Sequence, residues 1–433
     1  MCDFKTGQSA SKVRFFIILK MKQNQKIDLL IIMRTKQIFI YIFATFAIGT
    51  ALLYWNKNKK AEIPTLLDRK GGLSLSSEWK NTKRAIETLR YKVVKNRKDY
   101  TSKLMLAYAF MQEARVTGEH PYYYPAALEM IEDVLSNTTK NEAIYAKALV
   151  AKASVELSLH HFADALETGK AAIDLDPYNK DLYGVLCDAN VELGRYQEAV
   201  KMADKMVALR PELQSYSRVS YLREIHGDIP GAIEAMKMAV ESGYPGFEQT
   251  SWTRYNLAKL YERSGDTMLA RKNLEQVLLE DKNYAFAIGG MAGLKAKAGD
   301  YKTAEALYLK ALNIIPEFSF QEELAKIYVA TKNPKAQEAI DKTIVMLKED
   351  SDAGHDTDLE MANLHLELTK DYDKALEYAE KEYERRPENI DVNRCLAIVY
   401  KAKGKNEECK LHLAKANRTH KKDPELMRLC KQS

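Results

Sequence analysis

The pattern of small residues and turn residues predicts an all-α fold, a solenoid of stacked helical hairpins, preceded by one transmembrane helix. Two observations carry the solenoid. Ala165, Ala199, Ala232, Ala270, Ala304, Ala339 and Ala375, followed by Cys409, recur at intervals of 34, 33, 38, 34, 35, 36 and 34 residues. Gly and Pro fall at set distances around them, as in Gly194-Arg195-Tyr196 before Ala199 and Pro211 after it, or Gly299-Asp300-Tyr301 before Ala304 and Pro316 after it. The third observation is an uncharged run near the N-terminus, from Ile38 to Trp55.

The elements follow in chain order. Residues 1–33 form a basic leader with two short apolar runs, Phe15–Leu19 and Leu29–Ile32, neither long enough to span a bilayer. Met33 before Arg34-Thr35-Lys36 reads as a natural start for a membrane-targeted protein, which would make the leader an over-extended reading frame. The alternative is a disordered basic leader. Residues 34–57 hold the apolar run, bracketed by Arg34 and Lys36 on one side and Lys57, Lys59 and Lys60 on the other. Its 18 residues rise about 27 Å, against a hydrocarbon core of about 30 Å. Tyr54 and Trp55 stand where interfacial aromatics belong.

The run reads as an anchor or a signal segment. Gly49-Thr50-Ala51 offers a weak cleavage site, but Leu52 to Trp55 prolong the apolar stretch past it, which favours an uncleaved anchor. Positive residues flank both ends and barely decide orientation. A short basic segment ahead of a first apolar run favours an N-terminus on the cytoplasmic side. That would make the chain a single-pass membrane protein with its repeats outside the cytoplasm, in the periplasm of a bacterium. Residues 58–75, with Pro64, Gly71 and Gly72, read as a tether.

The solenoid is expected over 76–433, with about nine hairpins after one extra helix near Glu78–Asn96, and with the most regular spacing over 146–317 and 356–424. The cadence has a physical cause. Two antiparallel helices approach closely only where side chains are small, so each needs Ala, Gly or Cys at the crossing while large residues fill the grooves beside it. In the fifth hairpin Ala258 and Ala270 supply the crossing, Gly265 ends one helix and Asp266 caps the next. Pro177, Pro211, Pro316, Pro387 and Pro424 stop the second helices.

Composition narrows the function. The formal charge is +6, but residues 1–60 carry 11 Lys/Arg and 2 Asp/Glu, leaving 55 basic and 58 acidic residues for the rest. A slightly acidic solenoid has no electrostatic footprint for nucleic acid. Five cysteines without tight spacing make no disulfide framework. Cys395 and Cys409 fall on the two helices of one hairpin, where small buried residues are needed. No phosphate-cradling loop, zinc-protease pattern or nucleophile elbow occurs. Gly289-Gly290-Met291-Ala292-Gly293 falls inside a helix and suits close packing, and His160, His161 and His365 lack partners at metal-ligand spacing. The expectation is a protein that is not an enzyme, with no cofactor and no metal.

The segment Tyr255-Asn256-Leu257-Ala258-Lys259-Leu260-Tyr261-Glu262-Arg263-Ser264-Gly265-Asp266 resembles the first helix and turn of the tetratricopeptide repeat family, and the resemblance extends over roughly residues 100–424. It departs at Asn333-Pro334, which replaces a Gly turn, and at Cys409, which replaces Ala. The resemblance implies a right-handed superhelix whose first helices line a concave groove that receives peptides or extended protein segments. On that reading the groove carries Tyr221 and Glu224, then Trp252, Tyr255, Lys259 and Glu262, then Phe286, then Phe320 and Glu323. The aromatic members would anchor a partner; the alternative is that several pack between hairpins as core. Family members that grip a C-terminal carboxylate want a Lys where Tyr255 stands, which argues against such a clamp.

Two insertions break the spacing. Gly118 to Pro125 lies between the helices of the first hairpin and offers His120, Tyr122, Tyr123 and Tyr124 as loop candidates for recognition. Gly243 to Phe247 accounts for the interval of 38. The function expected is that of a membrane-tethered adaptor or scaffold binding a protein or peptide, anchored through residues 38–55. The rival is an extracytoplasmic accessory factor that binds glycan or assists an envelope enzyme complex.

Overall fold

The computed structural model describes residues 45, 63–69, 73–74, 77–419 and 428. The chain divides into two units, Met1–Ile63 and Pro64–Ser433. The apolar run at 38–55 lies, apart from helical Thr45, outside the described residues. Among those described, no helix is long and apolar enough to cross a membrane.

Among its described residues the second unit consists of helices and their connections, with no strand. Helix α1 (Ser77–Lys95) precedes nine hairpins. They pair α2 with α3 (Tyr100–Thr117, His120–Asn137), α4 with α5 (Ala143–Ser158, Phe162–Ile173), and α6 with α7 (Lys180–Glu192, Tyr196–Leu209). Next come α8 with α9 (Leu213–Ile225, Ile229–Glu241), α10 with α11 (Glu248–Ser264, Thr267–Glu280), and α12 with α13 (Ala285–Lys297, Tyr301–Leu312). The last three pair α14 with α15 (Phe318–Ala330, Ala336–Asp352), α16 with α17 (Asp358–Leu364, Tyr372–Arg385), and α18 with α19 (Ile390–Ala402, Asn406–Ala416).

The small-residue cadence sits at the helix crossings. All eight signature residues are buried, none more than 3% exposed. The preceding helix of each hairpin also carries a small buried residue: Ala153, Cys187, Ser220, Ala258, Ala292, Ala325, Ala362 and Ala397. In the fourth hairpin the approach is close enough for the Ser220 hydroxyl to donate to the Ala232 carbonyl at 2.7 Å. Hydrophobic clusters then join each hairpin to its neighbour in sequence, so stacking completes a core that no hairpin holds alone.

Irregular intervals have local causes. The eighth hairpin carries one extra residue before Ala375, absorbed by a π-helical turn at His365–Thr369 that continues α16. The Gly243–Phe247 loop joins α9 to α10, where the Gly246 N–H donates to the Glu280 carboxylate at 2.9 Å.

The first hairpin corrects the loop expected at Gly118–Pro125. Only Gly118 and Glu119 connect its helices, and α3 begins at His120 with Pro121 in its first turn. Proline fits there because the first helical N–H groups need no intrahelical acceptor. The tether expected over 58–75 is in part a strap. The Leu67 N–H donates to the Tyr123 hydroxyl at 3.1 Å, the Arg90 guanidinium donates to the Pro64 carbonyl at 2.8 Å, and Arg69 forms a buried pair with Glu113 at 2.6 Å.

The superhelix closes on itself. The Asp356 N–H donates to the Leu159 carbonyl at 3.0 Å. Arg386 pairs with Glu192 at 2.5 Å, the Asn389 amide donates to the Glu192 carbonyl at 2.8 Å, and the Ile390 N–H donates to the Tyr196 hydroxyl at 2.9 Å. The last three contacts link residues 194–197 apart, or about six repeats of the usual 34-residue length. Gly118 meets Pro316 at a similar offset. One superhelical turn therefore takes about six hairpins, and the second turn rests directly on the first: seventh hairpin against first, eighth against second, ninth against third.

Candidate functional site

Inside the first turn, the opening helices of successive hairpins face a cavity of about 980 Å³. Tyr221 enters from α8, Trp252, Tyr255 and Lys259 from one face of α10 at helical intervals of three and four, and Phe286 from α12. Trp252 meets the Phe286 edge at 5.0 Å between centroids and Tyr255 at 5.4 Å. The rings thus brace one another. Tyr221 remains 40% and Trp252 36% exposed, so both keep surface available to a ligand. Burial pushes the Tyr255 hydroxyl up to about 12, which keeps it a neutral hydrogen-bonding group.

Three groove candidates, Phe320, Glu262 and Glu323, lie elsewhere, Glu323 paired with Lys326 at 3.0 Å. Phe320 is 5% exposed and packs in the core against Gly289, where a Cβ would come within 2.5 Å of its ring. Gly289 of α12 is the seat for that ring, so the aromatic ladder passes from Phe286 into the core at Phe320, 5.5 Å on. Glu262 is held by Lys297 at 2.6 Å and by Lys259 at 3.9 Å and does not line the cavity.

The first-hairpin candidates divide by face. His120 and Tyr124 line the cavity, with rings 5.4 Å apart. Tyr123 is fully buried and, with Tyr122, holds the 64–69 strap; the Tyr122 hydroxyl donates to the Thr65 carbonyl at 2.7 Å.

Sequence reasoning missed the polar wall. Arg115, Asp188, Arg218 and Glu248 line the same space. Arg218 forks onto Asp188 with bonds of 2.9 and 2.6 Å, lying over Gly184, whose missing side chain makes room for it. Arg115 reaches Glu248 across the channel at 3.2 Å. The available signal was Asp188 and Arg218 on first helices of adjacent hairpins. The Arg115–Glu248 tie needed the superhelical curvature.

A second cavity of about 580 Å³ shares Arg115, Tyr124, Ser154, Asp188 and Arg218 with the first. Residues of the second superhelical turn, Glu360, Arg386, Asn389 and Asp391, roof it. Glu360 has one buried carboxylate oxygen without a hydrogen-bond partner, and burial raises its carboxyl to about 7. Together the two cavities are lined by eight carboxylates and five Lys or Arg side chains, an acidic wall. Among the described residues no group of three or more His, Cys, Asp or Glu is placed to hold a metal ion.

Residues 156–223 match the family model described as tetratricopeptide repeat, so the chain carries tetratricopeptide repeats within an all-α solenoid. A curated relative, cellulose synthase operon protein C of Pseudomonas fluorescens (strain SBW25), is 26% identical over 168 residues, which is 37% of this chain. The aligned stretch spans only 13% of that relative. Among solved structures, the thermophilic tetratricopeptide repeat protein TTC0263 of Thermus thermophilus is 21% identical, with TM-score 0.38, covering 46% of this chain and 97% of that one. The human IFIT1 dimer with m7Gppp-AAAA is 14% identical, with TM-score 0.47, covering 79% of each chain.

Proposed function

We propose that this protein is a membrane-tethered scaffold without chemistry of its own, which holds an extended segment of a partner protein in the channel inside its superhelix. The observation that carries the reading is the convergence of Tyr221, Trp252, Tyr255, Lys259 and Phe286, from three successive hairpins, on one cavity. Rings with exposed faces beside fixed polar groups make anchors for a partner side chain. The acidic wall disfavours a phosphate backbone and favours a segment carrying Lys or Arg. The apolar run at 38–55 would place the scaffold at a membrane, with its repeats outside the cytoplasm, and raise the local concentration of any partner sharing that bilayer.

Affinity capture with the full chain in detergent tests the reading. Wild type is expected to retain a stoichiometric protein, and Trp252→Ala/Tyr255→Ala to lose it while keeping its thermal melting transition. Equal capture by both would remove the channel from the function. A reporter fused after Ser433 reads the side of the membrane, and activity only in the cytoplasm would reverse the orientation. The rival reading has the aromatic wall bind glycan, and the name of the cellulose synthase operon relative supports it. Tight glycan binding with no protein retained would select it.

A further inference from the structure

We infer that the second superhelical turn is a roof over the inner channel, and that it lifts along the seam between the turns to admit the partner segment. The inference rests on the channel being the binding site, and deepens that reading by naming how access is controlled.

The seam differs from the core packing between successive hairpins. Within a turn, hairpins are joined by apolar clusters. Across the seam the contacts are polar: Glu192 with Arg386 and Asn389, Tyr196 with the Ile390 N–H, Leu159 with the Asp356 N–H. Apolar crossings are few: Ile390 packs with Cys187 and Tyr196, and Leu73 against the core of the sixth to eighth hairpins. Because each hairpin takes its stability from its sequence neighbours, the seam can part while every hairpin stays folded.

The seam also carries unmet polar demand. Both ring nitrogens of His355, one oxygen of Glu360 and the Thr419 hydroxyl are buried without partners. The His355 ring stands edge-on to that of His160 at 4.2 Å, and Thr419 follows Arg418, which donates to the Gly194 carbonyl. Opening exposes these groups to solvent that can pair them. The same opening unroofs the smaller cavity, whose far wall is Glu360, Arg386 and Asn389.

Hydrogen exchange on the full chain tests the seam without any partner. Gly194 is left-handed, with φ +73°, and a Cβ there would run into the Glu388 carbonyl of the second turn. Gly265 is left-handed too, with φ +90°, and has nothing within 4 Å. Gly194→Ala and Gly265→Ala therefore share the turn penalty, and only the first drives a wedge into the seam. Relative to Gly265→Ala, Gly194→Ala is expected to speed exchange of the Asp356 and Ile390 amides at least tenfold, with amides of α8 and α9 unchanged. Arg386→Met, which leaves every turn intact, is expected to do the same. If both seam variants match the control, or if the seam amides exchange only with the core, the roof is a fixed wall and the inference fails. Partner capture by the wild type would then still stand or fall separately.

Discussion

The fifth hairpin and the seam are both built from packed helices, yet they rest on different physics. In the fifth hairpin Ala270 packs with Leu257, Leu260 and Tyr261, and Gly265 and Asp266 turn the chain with open space around Gly265. At the seam the corresponding turn of the second hairpin uses His160 instead of Gly. That residue is held at φ 63° while its Nδ1 bonds the Asp356 carbonyl at 3.0 Å. The repeat interior is optimised for close apolar packing. The seam accepts local strain and unpaired groups in return for a contact that can be made and broken.

Four changes sharpen this contrast, from the largest effect to the smallest. Ala304→Leu adds three carbons at a closed crossing and is expected to cost about 3 kcal/mol, read as a lower urea midpoint, since the helices cannot separate locally. A loss under about 1 kcal/mol would mean the crossings are looser than their burial indicates. Arg386→Met removes the partner of Glu192 and Glu382. Orphaning carboxylates in a fixed core costs about 3–5 kcal/mol. If the seam parts and water reaches them, the loss in global stability stays below about 1 kcal/mol, as expected of a pair that becomes solvent-exposed.

His160→Gly works in two directions. The turn is relieved of roughly 1 kcal/mol of left-handed strain, while the bond to Asp356 is lost, so the melting transition is expected to hold or rise slightly as the Asp356 amide exchanges faster. A fall in both would show that the histidine supports the turn itself.

The smallest effect is on pH. Burial lowers His160 to about 4 and His355 to about 3, so the open form binds more protons and acidification from about 6.5 downward favours opening. Glu360, raised to about 7, has the opposite sign: closure binds its proton, and acidification from 7 towards the ordinary carboxyl range favours the closed form. Arg386, Glu382 and Asp356 face the same cluster. In Glu360→Gln the histidine limb is opposed only by Asp356 and Glu192, whose carboxyls burial also raises. The radius of gyration from solution scattering is therefore expected to rise more between pH 7 and 5 in this variant than in wild type, and an unchanged profile would assign the seam's charge balance elsewhere.

The sequence by itself determined the repeating unit. A small residue is required wherever two helices cross, so Ala165 through Cys409 marked the hairpins one by one, and the first-helix spacing of Trp252, Tyr255 and Lys259 placed them on a common face that does line the channel. Phe320 was misplaced because its seat is Gly289 on a neighbouring hairpin, and Tyr122 and Tyr123 because Pro121 opens a helix instead of shaping a loop. The tertiary structure alone decided that residues about six repeats apart would meet. Curvature is the sum of small rotations at each crossing, and no local pattern records that sum. Glu192 and Arg386, each ordinary on its own helix, become partners only once the coil has come full turn.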